Sequence, residues 1–108
     1  MSELSVKDVF EKHIPGRLES KPELAKQINN TYQFDITGDG GGKYVVDLKQ
    51  SKVFEGTIDG PGVSVTMSAT DFVALVAGKL NGQMAFMQGK LKIKGDMSLA
   101  LKLQQLLG

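Results

Sequence analysis

Few side chains in this sequence are of the kind that do covalent or metal chemistry, and each has a simpler use. The glycines and lysine of "TGDGGGKY" at 37–44 invite a phosphate-loop reading, but Thr37 stands where the first glycine belongs and Tyr44 follows the lysine. A strand, not a helix, comes next, so a glycine-rich hairpin accounts for the stretch. "DITGDG" opens like a calcium loop, yet its twelfth position is Val46 where a bidentate acid is required. His13 is the single histidine and there is no cysteine, so no metal site is expected. No motif sets a nucleophile beside His13, and a helix-end histidine near solvent is the plainer reading. Asp71 and Asp96 are the carboxylates an acyl-thioester hydrolase would use. Both stand where acids favour helix starts. No catalytic residue and no cofactor is expected.

What remains is apolar and adaptable. Met84, Phe86, Met87 and Met97 gather in sequence near the terminal leucines. Methionine is flexible and polarizable, and it suits surfaces that accept varied shapes as well as ordinary cores. Gln88 lies between Met87 and Gly89, and Gln104 falls in helical register with Met97, Ala100, Leu101 and Leu107. A glutamine buried among such residues needs a partner, because an unpaired amide costs about 1–3 kcal/mol. A ligand head group or water would supply one; a solvent-facing Gln104 needs none. Lys90, Lys92 and Lys94, with Lys79 nearby in sequence, form either a solvated strand face or a patch for anionic lipid heads, worth about 1 kcal/mol per residue at a charged membrane.

The elements that must position these residues can be read from periodicity. Ser5 with Asp8 forms a capping-box pattern ahead of Val6, Val9, Phe10 and Ile14 at helical spacing. Pro15 and Gly16 are expected to interrupt that helix. Pro22 opens a second helix with Leu24 and Ile28 inward. "TYQFDIT" and "KYVVDLK" alternate as strands about the glycine turn, the first with Tyr32, Phe34 and Ile36 on one face and Gln33 and Asp35 on the other, the second repeating the pattern with Tyr44, Val46 and Leu48. "KVFEG" completes a meander. "VSVTM" is a fourth strand with Val63, Val65 and Met67 inward. Ser68 and Asp71 cap a helix that stops near Gly78. A short helix to Gly89, a fifth strand over the alternating lysines, and a final helix from Asp96 follow. The pattern predicts one α+β domain over 1–108, with a five-stranded mainly antiparallel sheet and helices over one face.

Size and charge exclude other classes. A chain of 108 residues with 41% hydrophobic and 23% charged side chains suits one globular core. A net charge of +1 gives no field to recruit nucleic acid. No apolar run approaches the roughly 20 residues of a spanning helix, and the N-terminal segment carries charges where a signal peptide is apolar.

The stretches "VVDLK", "DFVALVAGKLNGQMAF" and above all "FMQGKLKIKGDMSLALKLQ" resemble, with the chain as a whole, the sterol carrier protein family of the non-specific lipid-transfer type. The resemblance implies an apolar tunnel between sheet and helices. It implies carriage of fatty acids, fatty acyl-CoA, sterols or phospholipids without catalysis. Within the last motif it implies that Phe86, Gln88, Met97 and Gln104 line the tunnel. The pattern of apolar residues adds Ile14, Leu18, Phe34, Met84, Met87, Ala100, Leu101 and Leu107. Pro15 and Gly16 depart from the continuous first helix the resemblance implies, and they bear on one tunnel wall. A monomer is expected, with transient membrane contact through Lys90, Lys92 and Lys94. The resemblance implies an intracellular and commonly peroxisomal location, although "QLLG" is not a peroxisomal tripeptide, which leaves the cytosol as the other expectation. Beside the carrier stand two other readings: the thioester hydrolase, and an interaction domain docking through its apolar terminal helix.

Overall fold

A computed structural model describes residues 5–107 of the protein; positions 1–4 and 108 of the expected single domain lie outside the described residues. The described residues open with a helical turn, α1 (Val6–Asp8), in which the Asp8 amide donates to the Ser5 hydroxyl oxygen at 3.1 Å. A π turn over Val9–His13 and a helix α2 (Ile14–Ser20) continue it without a break. The expected interruption at Pro15 and Gly16 is therefore corrected. The π turn hands the Ile14 amide to the Val9 carbonyl, five residues back. This wider turn just before the ring accommodates a proline, which lacks a donor and crowds the carbonyl four residues earlier. Helix α3 (Pro22–Ile28) ends at Asn29 in the left-handed conformation and delivers the chain to the sheet.

Strands β1 (Thr31–Thr37), β2 (Gly42–Asp47) and β3 (Lys52–Glu55) form the antiparallel meander. Strand β4 (Val63–Ser68) then lies parallel to β1, and β5 (Lys92–Gly95) pairs antiparallel to β4, for a spatial order β3-β2-β1-β4-β5. The sheet is thus mainly antiparallel, with one parallel pair. To reach β4 from β3 the chain must cross β2 and β1, and it does so over the outer face. Gln33 is the fastening. Its amide nitrogen donates to the carbonyls of Tyr44 and Gly56, and its amide oxygen accepts from the Ile58 amide at 3.1 Å. The alternation of β1 places Gln33 opposite the core, but this strap leaves it only 6% exposed.

The inward residues of β1, β2 and β4 meet the helices on the other face. Phe10 stacks on Tyr44 and Phe72 at 4.1 and 5.3 Å and meets Phe34 edge-on at 5.1 Å. Phe72 belongs to α4 (Ala69–Val76), capped by the Ser68 hydroxyl oxygen, which accepts from the Asp71 amide. Helices α5 (Gly82–Met87), α6 (Met97–Leu101) and α7 (Leu103–Leu107) complete the layer.

Candidate functional site

Two cavities open on the described residues: one of about 450 Å³ between the N-terminal helical run and β2–β3, lined by charged and apolar residues, and a more apolar one at the far end of the helical layer. Between the α4–α5 corner, β5 and the α6–α7 pair lies a cavity of about 340 Å³, in the lower part of the range of small-molecule pockets. Leu75 of α4 and Phe86 of α5 form one wall, and Leu91 and Ile93 form the sheet side. Met97, Ala100 and Leu101 of α6 and Leu103 of α7 form the wall opposite. The polar side chains lining it are the amides of Asn81, Gln83 and Gln104, and none of its lining residues is ionisable. Such a lining favours an apolar chain and offers neutral hydrogen-bonding groups to a polar atom at its end. A charged group would have to stay at the exposed mouth, because an unpaired charge is costly to bury.

Local sequence explains the walls. Asn81 caps α5, its side-chain oxygen accepting from the amides of Gln83 and Met84 at 2.9 and 3.1 Å. The cap fixes which way the short helix presents Phe86. Gly82, in the first turn, leaves space toward Leu75 and Gln104: a methyl group there would sit 3.7 Å from the Gln104 side-chain oxygen. Asp96 caps α6, accepting from the Ser98 amide at 2.8 Å and the Ser98 hydroxyl at 2.6 Å, and these bonds hold its carboxyl below the ordinary range. The Asp96 amide donates to the Gly62 carbonyl, which ties α6 to the start of β4. Gly62 must lack a side chain, since a Cβ there would meet Asn30 and come within 2.7 Å of Leu99. The Tyr32 hydroxyl donates to the Leu99 carbonyl at 2.6 Å, and burial pushes its phenol well up.

A second brace holds α7. The His13 Nε2–H donates to the Leu107 carbonyl at 2.5 Å, and Arg17 donates to the Gln105 carbonyl from Nε at 3.1 Å and from its terminal nitrogen at 2.6 Å. These carbonyls lie at the end of the helix, where no intrahelical donor remains and a cation is favoured. His13 is half-buried inside the continuous helical run with a defined partner, which corrects the expectation of a helix-end histidine near solvent.

The twelve sequence-derived candidates divide three ways. Phe86, Met97, Ala100, Leu101 and Gln104 line the cavity together. Ile14, Leu18, Phe34 and Leu107 are buried in the adjoining core and do not line it. Met84, Met87 and Gln88 point outward from α5 and its end. The inward alternation of β5 already pointed to Leu91 and Ile93. Asn81, Gly82 and Gln83 carried no such signal, because only the turn after α4 brings them to the mouth. The hydrolase candidates Asp71 and Asp96 both stand outside the lining.

Comparison with known proteins agrees with this architecture. Residues 11–108 match the SCP-2 sterol transfer family. The chain is 43% identical over 101 residues to sterol carrier protein 2 of Homo sapiens, covering 88% of this chain and 18% of that protein. It is 44% identical over 89 residues to hydroxysteroid dehydrogenase-like protein 2 of Xenopus laevis, covering 80% of this chain and 21% of that protein. The chain thus spans about a fifth of the length of these curated relatives. The solution structure of sterol carrier protein-2 from Aedes aegypti in complex with the C16 fatty acid palmitate superposes with a TM-score of 0.79 at 32% identity, covering 100% of this chain and 97% of that one. With a match that takes in almost its whole length and a five-stranded sheet closing on an apolar cavity, this chain belongs to the SCP-2 sterol transfer family.

Proposed function

We propose that this domain binds and transfers lipids, taking a fatty acid or the acyl chain of a larger lipid into the cavity between α5, β5 and α6. The observation that carries the proposal is the lining: apolar walls, three neutral amides and no ionisable group among the lining residues. Each methylene moved from water into such a site gains about 0.8 kcal/mol, whereas a chain arriving from a bilayer gains little, since lipid tails are already in an apolar medium. That near-balance lets a carrier load at one surface and unload at another. Phe86, Met97, Ala100 and Leu101 contact the chain, and Gln104 meets the polar end. Family membership and the palmitate complex of the Aedes aegypti relative support this reading; acyl-CoA, sterols and phospholipids extend it to bulkier ligands. This carrier reading assigns the domain no catalytic step, and neither Asp71 nor Asp96 is among the lining residues.

Native mass spectrometry of delipidated protein incubated with palmitate tests the proposal, together with Ala100→Trp, which fills the cavity from α6. The parent should take up one fatty acid, and the variant should bind at least tenfold more weakly. A parent that remains lipid-free, or a variant that binds as tightly as the parent, would sink the site. Turnover of acyl-CoA by the parent that is lost in Asp71→Asn or Asp96→Asn would favour the hydrolase instead.

A further inference from the structure

The cavity between the N-terminal helical run and β2–β3 shares no lining residue with the lipid site, and its chemistry is the opposite. Its volume of about 450 Å³ falls in the range of small-molecule pockets. On one side the helical run contributes Lys7, Glu11 and Pro15, at intervals of four residues, together with Phe10. On the other side stand Tyr44 of β2 and Val53 and Glu55 of β3. Phe10, Pro15 and Val53 give it apolar surface. Of the three charged side chains that line it, two are carboxylates, so the cavity is negative on balance.

Tyr44 brings an unused hydrogen-bonding group to this space. Its side chain is only 7% exposed, its ring stacks on Phe10 at 4.1 Å, and it lies close over Gly42, where a Cβ would come within 3.1 Å of the ring. The ring is therefore held in place. The protein's other tyrosine, Tyr32, donates its hydroxyl to the Leu99 carbonyl, whereas the Tyr44 hydroxyl has no hydrogen-bond partner among the described residues. Glu55 stands directly across from Tyr44 on the neighbouring strand. Burial, and then the negative charges of Glu55 and Glu11, push the Tyr44 phenol up, so both carboxylates act on this hydroxyl. Glu55 forms no ion pair among the described residues, and Glu11 has only the exposed Lys7 ammonium at 4.0 Å, a weak pairing that a ligand can replace. A nearly buried hydroxyl beside two carboxylates calls for a positively charged donor. A primary ammonium carries three N–H donors, one for each of these acceptor groups, whereas a carboxylate ligand is repelled.

We propose that the cavity between the N-terminal helical run and β2–β3 binds a primary amine with a compact apolar body, the ammonium group on Glu55, Glu11 and the Tyr44 hydroxyl and the body against Phe10, Pro15 and Val53. The site is separate from the lipid cavity and stands whether or not the domain carries lipid. 4-Phenylbutylamine is the probe, with 4-phenylbutanol and 4-phenylbutyrate as neutral and anionic counterparts of nearly the same shape. Titrations followed by amide NMR should shift Tyr44, Val53 and Glu55 and leave Leu91, Ile93 and Ala100 in place. The amine should bind about tenfold more tightly than the alcohol, and the carboxylate should bind more weakly than either. Glu55→Gln, at an exposed position, should weaken amine binding about tenfold and leave palmitate uptake as in the parent. Tyr44→Phe, which keeps the stacked ring, should weaken it about threefold, with thermal melts confirming that both variants are folded. Protein loaded with palmitate should bind the amine as tightly as delipidated protein. Equal amine affinity in the parent and Glu55→Gln, or equal affinity of the parent for amine and alcohol, would overturn the site. Displacement of the amine by palmitate, with shifts at Ile93 and Ala100, would also overturn it, by placing the amine in the lipid cavity.

Discussion

At the scale of single residues, Gln104 carries the most specific expectation. It lies at the exposed mouth, in register with Met97, Ala100 and Leu101, and its side-chain oxygen lies beside Gly82. Gln104→Leu exchanges this amide for an apolar group of similar length. Because Gln104 reaches solvent, the fold should lose almost nothing. A ligand hydrogen bond worth about 0.5–1.5 kcal/mol disappears, so a fatty acid should bind about threefold to tenfold more weakly. A hydrocarbon of the same length should bind as well as before. Titrations of both variants with both ligands, beside thermal melts, check this. Unchanged fatty-acid affinity would mean that the amide serves only solvent.

At the scale of elements, α7 depends on a brace from far away in sequence. Its buried residues Leu103, Leu106 and Leu107 anchor it to the core, yet five residues make a marginal helix. The carbonyls at its end are satisfied by His13 and Arg17, on the helical run that the π turn keeps continuous past Pro15. Leu103 also lines the cavity, so the brace bears on the wall of the site. Arg17→Met should weaken the last helix by about 0.3–1 kcal/mol. Amide exchange in α7 should accelerate up to about fivefold while β1 and β4 keep their protection, and bound lipid should leave faster. Uniform acceleration across the sheet would instead mark Arg17 as a support of the whole fold.

For the whole molecule, one aromatic side chain joins the parts. Phe10 is 2% exposed and contacts Phe34 of β1, Tyr44 of β2 and Phe72 of α4. It thereby binds the N-terminal helix, the meander and the crossover helix into one core. Phe10→Ala should cost about 3–5 kcal/mol, by lost burial and the cavity left behind. A domain of this size has about 5–15 kcal/mol to lose, so the variant should melt far earlier and release lipid together with unfolding. A drop in denaturant midpoint corresponding to less than about 1 kcal/mol would show that the neighbouring rings collapse into the gap. The cavity between α5, β5 and α6 begins one turn further along α4, at Leu75.

Much of this architecture is written in local pattern. Alternation in β1 and β4 specified the strands and their inward residues, since a one-residue slip would turn every apolar group to water, whereas in β2 Val45 breaks the alternation and is buried as well. Ser5, Ser68 and Asp96 marked helix starts because a short polar side chain can satisfy a free amide only there. The resemblance of residues 86–104 to the sterol carrier protein family implied a lipid ligand. Tertiary structure decided the rest. Periodicity cannot say that β4 lies parallel to β1, because that pairing follows from a strap fastened by Gln33, a residue that reads as solvent-facing. Nor can it separate Met97, which lines the cavity, from Met84 and Met87, which do not. All three are apolar residues on short helices, and which of them faces the cavity depends on how the caps at Asn81 and Asp96 aim those helices against β5. Proline and glycine at 15 and 16 spoke locally for a break. A π turn and contacts from Ile14 and Leu18 to the core outweighed them, because burial of a whole apolar face exceeds the cost of one missing hydrogen bond.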